Sequence, residues 1–246
     1  MKKAILVTGG GRGIGAAVCR LAAAEGYAVA INYLRDDTSA RTLAAAIEAD
    51  GGTACIVKGD VAVEADVGRM FDAAESLLGP LYGLVNNAGI TGRIGKFADA
   101  DPASIEQIFR TNVFGTMHCC REALRRFQRT GAAGVIVNIS SIAAATGSPQ
   151  EYVHYAASKA AIETFTLGLA REVAADNIRV CAVAPGSTLT EIHAAAGEPG
   201  RPARIAPKIP LGRLAAPEEI AGPVVWLLSD AASYMTGSTV RCAGGL

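Results

Sequence analysis

The chain has 246 residues, 50% of them hydrophobic, and its 23 Lys and Arg residues balance 23 Asp and Glu residues. This length suits a single α/β domain, and the apolar half is enough to build a large core. Nucleic-acid binders and membrane-surface proteins need a basic footprint, which a neutral chain without long runs of one charge lacks. We therefore expect a protein that binds neither nucleic acid nor membrane.

The N-terminus and the cysteines bear on location and on metal binding. Only four apolar residues, 4–7, follow Met1-Lys2-Lys3, too few for a secretion signal or a membrane span. None of the six cysteines forms a C-x-x-C pair or stands at metal-ligand spacing with a histidine. We predict a cytoplasmic protein with no disulfide and no metal site.

A glycine-rich turn follows the first predicted strand, residues 4–8. It reads Gly9-Gly10-Gly11-Arg12-Gly13-Ile14-Gly15, and apolar residues at helical spacing come next. Strand, glycine turn and helix in this order are typical of a dinucleotide site, where glycines let the backbone approach a pyrophosphate at a helix N-terminus. The spacing is G-x-x-x-G-x-G, and an ordinary tight turn is the alternative.

The second predicted strand, 28–33, bears on the choice of cofactor. NAD-preferring sites usually place an acid at the end of this strand to bond the ribose 2′-hydroxyl. Here the strand ends at Asn32 and Tyr33, and no acid follows until Asp36. Arg12 and Arg35 are instead suited to a 2′-phosphate, so we predict NADP(H) over NAD(H), the alternative being two solvated arginines.

Helices and strands alternate along the rest of the chain. The predicted helices are 39–50, 64–78, 102–127, one opening at Tyr155, and 217–228, and the predicted strands are 53–58, 82–86, 134–139, 178–183 and 238–242. This alternation predicts one Rossmann-type domain over residues 1–246, a doubly wound parallel sheet of about seven strands with helices on both faces. Ligands of such sheets bind beyond the carboxyl ends of the strands, and the loop-rich stretch 187–214 is the predicted substrate lid.

Tyr155 and Lys159 form an i, i+4 pair on one helix face. A phenol with a pKa near ~10 is a poor acid or base at neutral pH, and a neighbouring ammonium favours its ionised form. We expect Lys159 to lower the pKa of Tyr155 so that the pair transfers a proton to a carbonyl oxygen. The alternative is an amphipathic helix with a solvated lysine.

With these residues together, the chain resembles the short-chain dehydrogenase/reductase family along essentially its whole length. The resemblance rests on Thr8-Gly9-x-x-x-Gly13-Ile14-Gly15, Asp60-Val61, Asn86-Asn87-Ala88-Gly89, Asn112, Ser141, Tyr155-x-x-x-Lys159 and Pro185-Gly186-x-x-x-Thr190. It implies an NAD(P)-dependent oxidoreductase acting on a carbonyl or secondary alcohol, assembled as a homotetramer through the helices that bear Asn112 and Tyr155.

The resemblance also implies roles for individual residues. Tyr155 is the acid/base, Ser141 bonds the substrate oxygen, and Lys159 holds the nicotinamide ribose and lowers the tyrosine pKa. Asn112 positions a water that links Lys159 to solvent. The residues expected at the cofactor are Gly9, Arg12, Gly13, Ile14, Gly15, Asn32, Arg35, Asp60, Val61, Asn87, Ala88, Gly89, Tyr155, Lys159, Pro185, Gly186, Thr188 and Thr190.

One departure from the family pattern lies beside the predicted site. Fourteen positions separate Ser141 from Tyr155, one more than is usual, and we place the extra residue in the turn 147–151. Ser140 is accordingly the alternative substrate-bonding serine. The lid is polar and mixed in charge, which favours a small polar substrate.

Two other functions stay open. The chain also resembles 3-oxoacyl carrier-protein reductases, and Arg125, Arg126 and Arg129 are suited to an acidic carrier protein unless they complement a helix dipole and face water. A non-catalytic, NADP(H)-binding regulatory protein is the other alternative, although it would not need all four of Asn112, Ser141, Tyr155 and Lys159.

Overall fold

The computed structural model describes residues 2–246, apart from the side chain of His193. Its centre is a sheet of seven parallel strands in the order β3-β2-β1-β4-β5-β6-β7. The strands are β1 Ala4–Val7, β2 Ala28–Tyr33, β3 Thr53–Lys58, β4 Leu81–Asn86, β5 Gly134–Ile139, β6 Ile178–Pro185 and β7 Thr239–Cys242. The predicted fold class is confirmed.

Helices cover both faces of the sheet. The long ones are α1 Gly13–Ala24, α2 Asp37–Ala49, α3 Glu64–Leu78, α4 Pro102–Phe109, α5 Thr116–Thr130, α7 Val153–Val173 and α10 Pro217–Leu228, and α6 is the single turn Ala143–Thr146. One core packs α1, α2 and α10 on the sheet, and the other packs α3, α5 and α7 on the opposite face. Side chains therefore point inward from both sides of each central strand, which explains why these strands read as unbroken apolar runs.

The predicted helix 102–127 is wrong in one respect, because a π-helical turn, Arg110–Gly115, interrupts it between α4 and α5. Asn112 lies in this turn. A Cβ on Gly115 would stand 2.7 Å from the Val61 side chain, so the backbone of the turn presses directly on the loop after β3. The apolar periodicity of the sequence cannot reveal one extra residue in a single turn.

The predicted lid, 187–214, is less irregular than expected. It contains two short helices, α8 Ile192–Ala195 and α9 Arg201–Ile205, and a 3₁₀ turn, Ala206–Lys208. Prolines occupy the first turn of both α9 and the 3₁₀ segment, where their fixed φ suits a helix start. Single turns of this length give too little periodicity to be distinguished from a loop.

Three further observations concern the part of the chain that the structure describes. It has no helix both long enough and apolar enough to cross a bilayer. Its six cysteines are free, and burial raises the pKa of the Cys120 thiol to about 12. Within it, no three His, Cys, Asp or Glu side chains are grouped so that they could hold a metal ion.

Candidate active site

The sheet order reverses direction at β1, which lies between β2 and β4. At such a switch point the connections leave on opposite sides, and a crevice opens beyond the carboxyl ends of the two central strands. Hydrogen bonds join the loops that follow β1 and β4. The Thr8 hydroxyl accepts the backbone N–H groups of Asn87 and Ala88 at 3.0 Å, and the Asn87 amide donates to the carbonyls of Thr8 and Gly9 at 3.0 Å. The walls of the crevice are therefore fixed to each other.

The glycine turn leaves no room for side chains where it meets this crevice. Gly9 and Gly13 have φ of 59° and 51°, in the left-handed region that favours glycine. A Cβ on Gly15 would stand 2.5 Å from the Gly9 carbonyl oxygen, so α1 begins directly against the turn. A bare backbone at the N-terminus of a twelve-residue helix fits a pyrophosphate group.

Asn32 supports this turn from below. Its amide oxygen accepts the Gly9 N–H at 3.1 Å, and its amide nitrogen donates to the carbonyls of Val57 and Gly59 at 3.3 and 3.1 Å. The side chain is buried. The Asn32 amide is thus engaged inside the protein, where it holds the glycine turn, and its predicted contact with a cofactor stays a prediction.

The two arginines predicted to read the cofactor both lie at the surface beside the crevice. Arg12 stands at the N-cap of α1, and Arg35 follows β2. Nearby Asp36 is the N-cap of α2, and its carboxylate accepts the Ser39 hydroxyl and N–H at 2.6 and 3.0 Å. These hydrogen bonds, with a smaller contribution from the Arg12 charge, lower the pKa of Asp36. The acid is thus engaged by its own helix while both arginines stay exposed.

Asp60 and Val61 form the crevice wall beyond β3. The Asp60 carboxylate accepts the Ala62 N–H at 2.9 Å, which fixes the turn, and the Val61 side chain is buried against Gly115. The Asp60 carboxylate is thus occupied in part by its own turn.

Tyr155, Lys159 and Ser141 come together at the ends of β5 and α7. Tyr155 and Lys159 are only 8% and 5% exposed. The Lys159 ammonium lies 5.8 Å from the centre of the Tyr155 ring and donates to the Ile139 carbonyl at 2.7 Å. The Ser141 hydroxyl accepts the Ala143 N–H at 3.1 Å and stands close enough to Tyr155 to lower its pKa. Ser140 instead donates to the Lys159 carbonyl and to Glu163, so Ser141 is the serine that faces the tyrosine.

Burial controls the pKa values of this group. It raises the pKa of Tyr155 to about 12, and the Ser141 hydrogen bond only partly opposes it. Burial also lowers the pKa of Lys159 to about 8. The predicted lowering of the Tyr155 pKa by Lys159 is therefore wrong for the structure, because removal from water outweighs the charges nearby.

Asn112 is held beside Lys159 by the loop after β4. Its amide oxygen accepts the Ile90 N–H, and its amide nitrogen donates to the Ile90 carbonyl, both at 2.9 Å, and to the Ser158 hydroxyl at 3.0 Å. A Cβ on Gly89 would stand 3.3 Å from the Asn112 amide oxygen and 3.4 Å from the Lys159 ammonium. The Asn112 amide and the Lys159 ammonium therefore both lie next to Gly89. Because the Asn112 amide already has three hydrogen-bond partners, the predicted water would have to bind beside this amide and not replace one of its partners.

The segment 185–190 closes the crevice from the lid side. Gly186 lies against Ala243, where a Cβ would stand 2.8 Å from the Ala243 Cα, and the Thr188 hydroxyl donates to the Gly186 carbonyl at 3.1 Å. The Thr190 side chain lies 3.1 Å from where a Gly13 Cβ would be. The predicted residues on the two sides of the crevice thus meet at Gly13 and Thr190.

Tyr152, which was not expected at the site, packs on Tyr155 and connects it to Arg201 and Glu151. The rings of Tyr152 and Tyr155 meet edge to face, with centroids 5.3 Å apart at 87°. The Arg201 guanidinium lies 5.3 Å from the Tyr152 ring centre and forms an ion pair with Glu151 at 2.6 Å. The longer turn 147–151 was the only signal in the sequence, and it did not identify its partner in the lid.

The cationic surface proposed for a carrier protein is corrected. Arg126 is buried, and its guanidinium forms ion pairs with Asp72, Glu75 and Glu122 at 2.6–2.8 Å. It neither faces water nor is available to an acidic partner. Arg125 and Arg129 are exposed and lie 3.8 and 3.5 Å from the carboxylates of Glu122 and Glu75.

Comparison with known proteins gives consistent matches over the whole chain. A family profile described as enoyl-(acyl carrier protein) reductase matches residues 9–246. The uncharacterized oxidoreductase YgfF of Escherichia coli is 48% identical over 98% of both chains. Acetoacetyl-CoA reductase of Rhizobium meliloti is 41% identical over 100% of this chain and 98% of its own, and 3beta-hydroxysteroid dehydrogenase 1 of Eggerthella lenta is 40% identical over 99% and 93%.

A solved structure shares the fold. The crystal structure of a short-chain type dehydrogenase/reductase from Mycobacterium marinum superimposes with a TM-score of 0.92 at 35% identity, covering 99% of this chain and 94% of that one. The names of the acetoacetyl-CoA reductase and of the hydroxysteroid dehydrogenase give different substrates, so the similarity fixes the class of reaction and leaves the substrate open.

Proposed function

The chain belongs to the short-chain dehydrogenase/reductase family, oxidoreductases that act on alcohols and carbonyls, and we propose that it is an NADP(H)-dependent reductase of a small polar carbonyl compound. The observation that carries the proposal is the buried Tyr155 side chain. Its ring centre lies 5.8 Å from the Lys159 ammonium, and it stands beside Ser141 at the carboxyl edge of the sheet, in the same crevice as the glycine turn. The bound cofactor would supply or accept the hydride.

Tyr155 is the proton donor of the proposed reduction. With a pKa of about 12 it keeps its proton at neutral pH and can give it to a substrate carbonyl oxygen. The Ser141 hydroxyl stands beside the tyrosine and would turn its one proton toward the same substrate oxygen as a second hydrogen bond. Lys159, when protonated, stabilises the phenolate that remains. Oxidation of an alcohol would require that phenolate first, which is why we propose reduction as the favoured direction.

Arg12 and Arg35 support the choice of NADP(H). Both are exposed beside the crevice, and Asp36, the first acid after β2, already receives two hydrogen bonds from Ser39. A 2′-phosphate would meet two guanidinium groups there. We expect Arg35→Ala and Arg12→Ala to weaken NADPH binding by about tenfold each and to leave NADH binding within about threefold, since a charge-assisted hydrogen bond contributes ~1.5 kcal/mol. Equal losses for both nucleotides would contradict the assignment.

The test of the function is cofactor consumption with NADPH and NADH against diketones, simple aldehydes, sugars and a 3-oxoacyl thioester. Tyr155→Phe is the matched control, since it removes one hydroxyl and keeps the ring. We expect NADPH-dependent turnover in the wild type, a loss of at least ~10³-fold in kcat for the variant, and unchanged NADPH binding. Turnover that survives in Tyr155→Phe would refute the role of the tyrosine. NADPH binding without turnover across the whole panel would favour the non-catalytic alternative.

A 3-oxoacyl thioester reductase is the second candidate, favoured by the similarity to acetoacetyl-CoA reductase. A carrier protein would have to dock without Arg126, whose charge is already taken by three carboxylates. Charge reversal at Arg125 and Arg129 should then weaken binding of a carrier-linked substrate and leave turnover of the corresponding CoA thioester unchanged. Loss of both carrier binding and CoA-thioester turnover would point to misfolding. If both are retained, this docking surface is excluded.

We also propose a homotetramer and a cytoplasmic location. Phe114 and Leu167 are 52% and 40% exposed on the two helical segments expected to form the interface, a placement that suits burial by another subunit. Six free cysteines favour a reducing compartment. Light scattering coupled to gel filtration would test the assembly, with Phe114→Glu as the disrupting variant, and a monomeric wild type would refute it.

A further inference from the structure

The turn before α7 has an unusual backbone. Gly147, Ser148 and Gln150 all have positive φ, at 73°, 43° and 66°, and the latter two are not glycine. At the two non-glycine residues such conformations cost about 1–3 kcal/mol each and persist only where surrounding contacts fix them. We place the extra residue of the Ser141–Tyr155 interval in this turn. The last residue of the turn, Glu151, faces the lid.

Glu151 is bound by two arginines of the lid. Its carboxylate oxygens lie 2.6 Å from the Arg201 guanidinium and 2.8 Å from that of Arg204. The two contacts differ in their surroundings, because the Arg201 side chain is 8% exposed and the Arg204 side chain 41%. Although burial acts in the opposite direction, the two arginines hold the pKa of Glu151 below its usual range. The carboxylate therefore stays charged and keeps the lid attached to the turn.

Arg201 also contacts the tyrosine pair. Its guanidinium lies 5.3 Å from the Tyr152 ring centre, and one nitrogen lies 3.4 Å from the Ser187 hydroxyl, next to the Pro185–Gly186 turn. Tyr152 in turn packs edge to face on Tyr155. A continuous set of contacts thus runs from Glu151 through Arg201 and Tyr152 to the proton donor. In this set the Arg201 guanidinium lies over the Tyr152 ring, and the Glu151 carboxylate holds the guanidinium in place.

We propose that Arg201, fixed by Glu151, is a positioning residue for Tyr155: it holds the lid closed and holds the Tyr152 ring against the catalytic ring. This inference rests on the proposed function, since it assigns a partner to the same proton donor. Arg201 is nearly buried and already bound by Glu151, so its part is to order the site, and substrate selection by its charge is not required. Its positive charge also opposes, in a minor way, the burial that raises the pKa of Tyr155.

Arg204 supplies the matched control. Both arginines bind Glu151, but Arg204 is partly solvated, shares its charge with Glu198 and acts on Tyr152 only weakly through its charge, whereas Arg201 lies over the Tyr152 ring. Arg201→Met and Arg204→Met therefore remove the same charge from the same carboxylate, and only the first also removes the group that covers the ring. Small displacements of a reacting group cost up to about 10²-fold in rate.

The experiment measures kcat per NADPH-binding site, KM for a panel substrate and the NADPH dissociation constant. For Arg201→Met we expect kcat to fall by about 100-fold while the NADPH dissociation constant changes by less than about threefold. Arg204→Met should stay within about threefold of wild type in all three. Arg201→Lys, which keeps the charge and loses the flat fork, should fall between them.

The outcomes separate the inference from the function on which it rests. If the wild type turns over, Tyr155→Phe is inactive and Arg201→Met keeps more than half of the wild-type kcat, the positioning role is refuted and the function stands. Equal losses in Arg201→Met and Arg204→Met would also refute it, since charge on Glu151 alone would then be responsible. If Arg201→Met does not fold, Glu151→Gln replaces it in the same measurements, because glutamine has nearly the same shape as glutamate. We expect kcat of Glu151→Gln to fall by about tenfold or more, and an unchanged kcat would refute the proposal.

Discussion

Lys159→Met should separate stability from activity, because burial makes the charge of this lysine costly to the fold. The ammonium is almost completely buried, and burial lowers its pKa from 10.5 to about 8. Methionine has a similar length and no charge. We expect the variant to lose turnover while its stability relative to the wild type depends on pH in a defined way.

The magnitude follows from linkage between protonation and folding. Between pH 8 and 10.5 the unfolded chain binds a proton at this residue and the folded chain does not, so wild-type stability rises with pH by about 1.4 kcal/mol per pH unit. Over the whole window, about 2.5 pH units, the gain is about 3 kcal/mol. Below pH 8 the wild type bears the full free-energy cost of burying the charged lysine, and the uncharged variant does not. The variant also leaves the Ile139 carbonyl without its donor, a loss of about 1–3 kcal/mol that does not depend on pH.

Urea unfolding of the wild type and of Lys159→Met at pH 6, 7, 8, 9 and 9.5 is the assay. The free energy of unfolding of the wild type minus that of the variant should be flat below about pH 7 and rise by about 2 kcal/mol from pH 7 to 9.5. Tyr155→Phe is the control: burial raises the tyrosine pKa to about 12, so its difference from wild type should stay flat over this range. A flat difference for Lys159→Met would refute the low pKa, and a difference that falls with pH would reverse the sign of the reasoning.

Two further substitutions test the cofactor cradle and the buried arginine. Gly15→Ala should abolish NADPH binding in isothermal titration calorimetry, because its Cβ would lie 2.5 Å from a backbone oxygen. Gly68→Ala is the control: it has open space around it in α3, so this variant should bind NADPH normally and gain about 0.5–1 kcal/mol of stability. Normal NADPH binding by Gly15→Ala would contradict the role of the glycine turn. Arg126→Met should lower the free energy of unfolding in urea by about 2–3 kcal/mol at pH 7, less than the 3–5 of a fully buried pair because its carboxylate partners are partly solvated. A loss below about 1 kcal/mol would show that these ion pairs contribute little to stability.

Much of the fold could be predicted because its signals are local. The apolar runs of the strands, the glycine turn and the Tyr155–Lys159 pair each depend on residues within a few positions of one another. Regular alternation then leaves few topologies for a parallel sheet. The seven-stranded order and the convergence of these motifs at one edge follow from that restriction.

The corrections concern contacts between residues distant in the sequence. Arg126 reads as a surface residue until α3 places two carboxylates beside it, 51 and 54 positions away. Arg201 likewise meets Glu151 across 50 positions. The direction of the Tyr155 pKa depended on burial, which the sequence shows only as a tendency, whereas the neighbouring lysine was visible at once. A charge next to a group in the sequence is therefore a weaker guide to its pKa than the depth at which the fold buries it.

The π-helical turn Arg110–Gly115 can absorb one extra residue within a helical segment. A π turn winds about one residue more into a turn than an α-helix does, so α4 and α5 keep the faces they would have in a continuous helix. Deleting one residue here would restore regular α geometry and leave the buried guanidinium of α5 against the carboxylates of α3, but it would change how the asparagine amide meets the loop beside the lysine. A single-codon deletion at this turn would therefore spare the core and disturb the crevice.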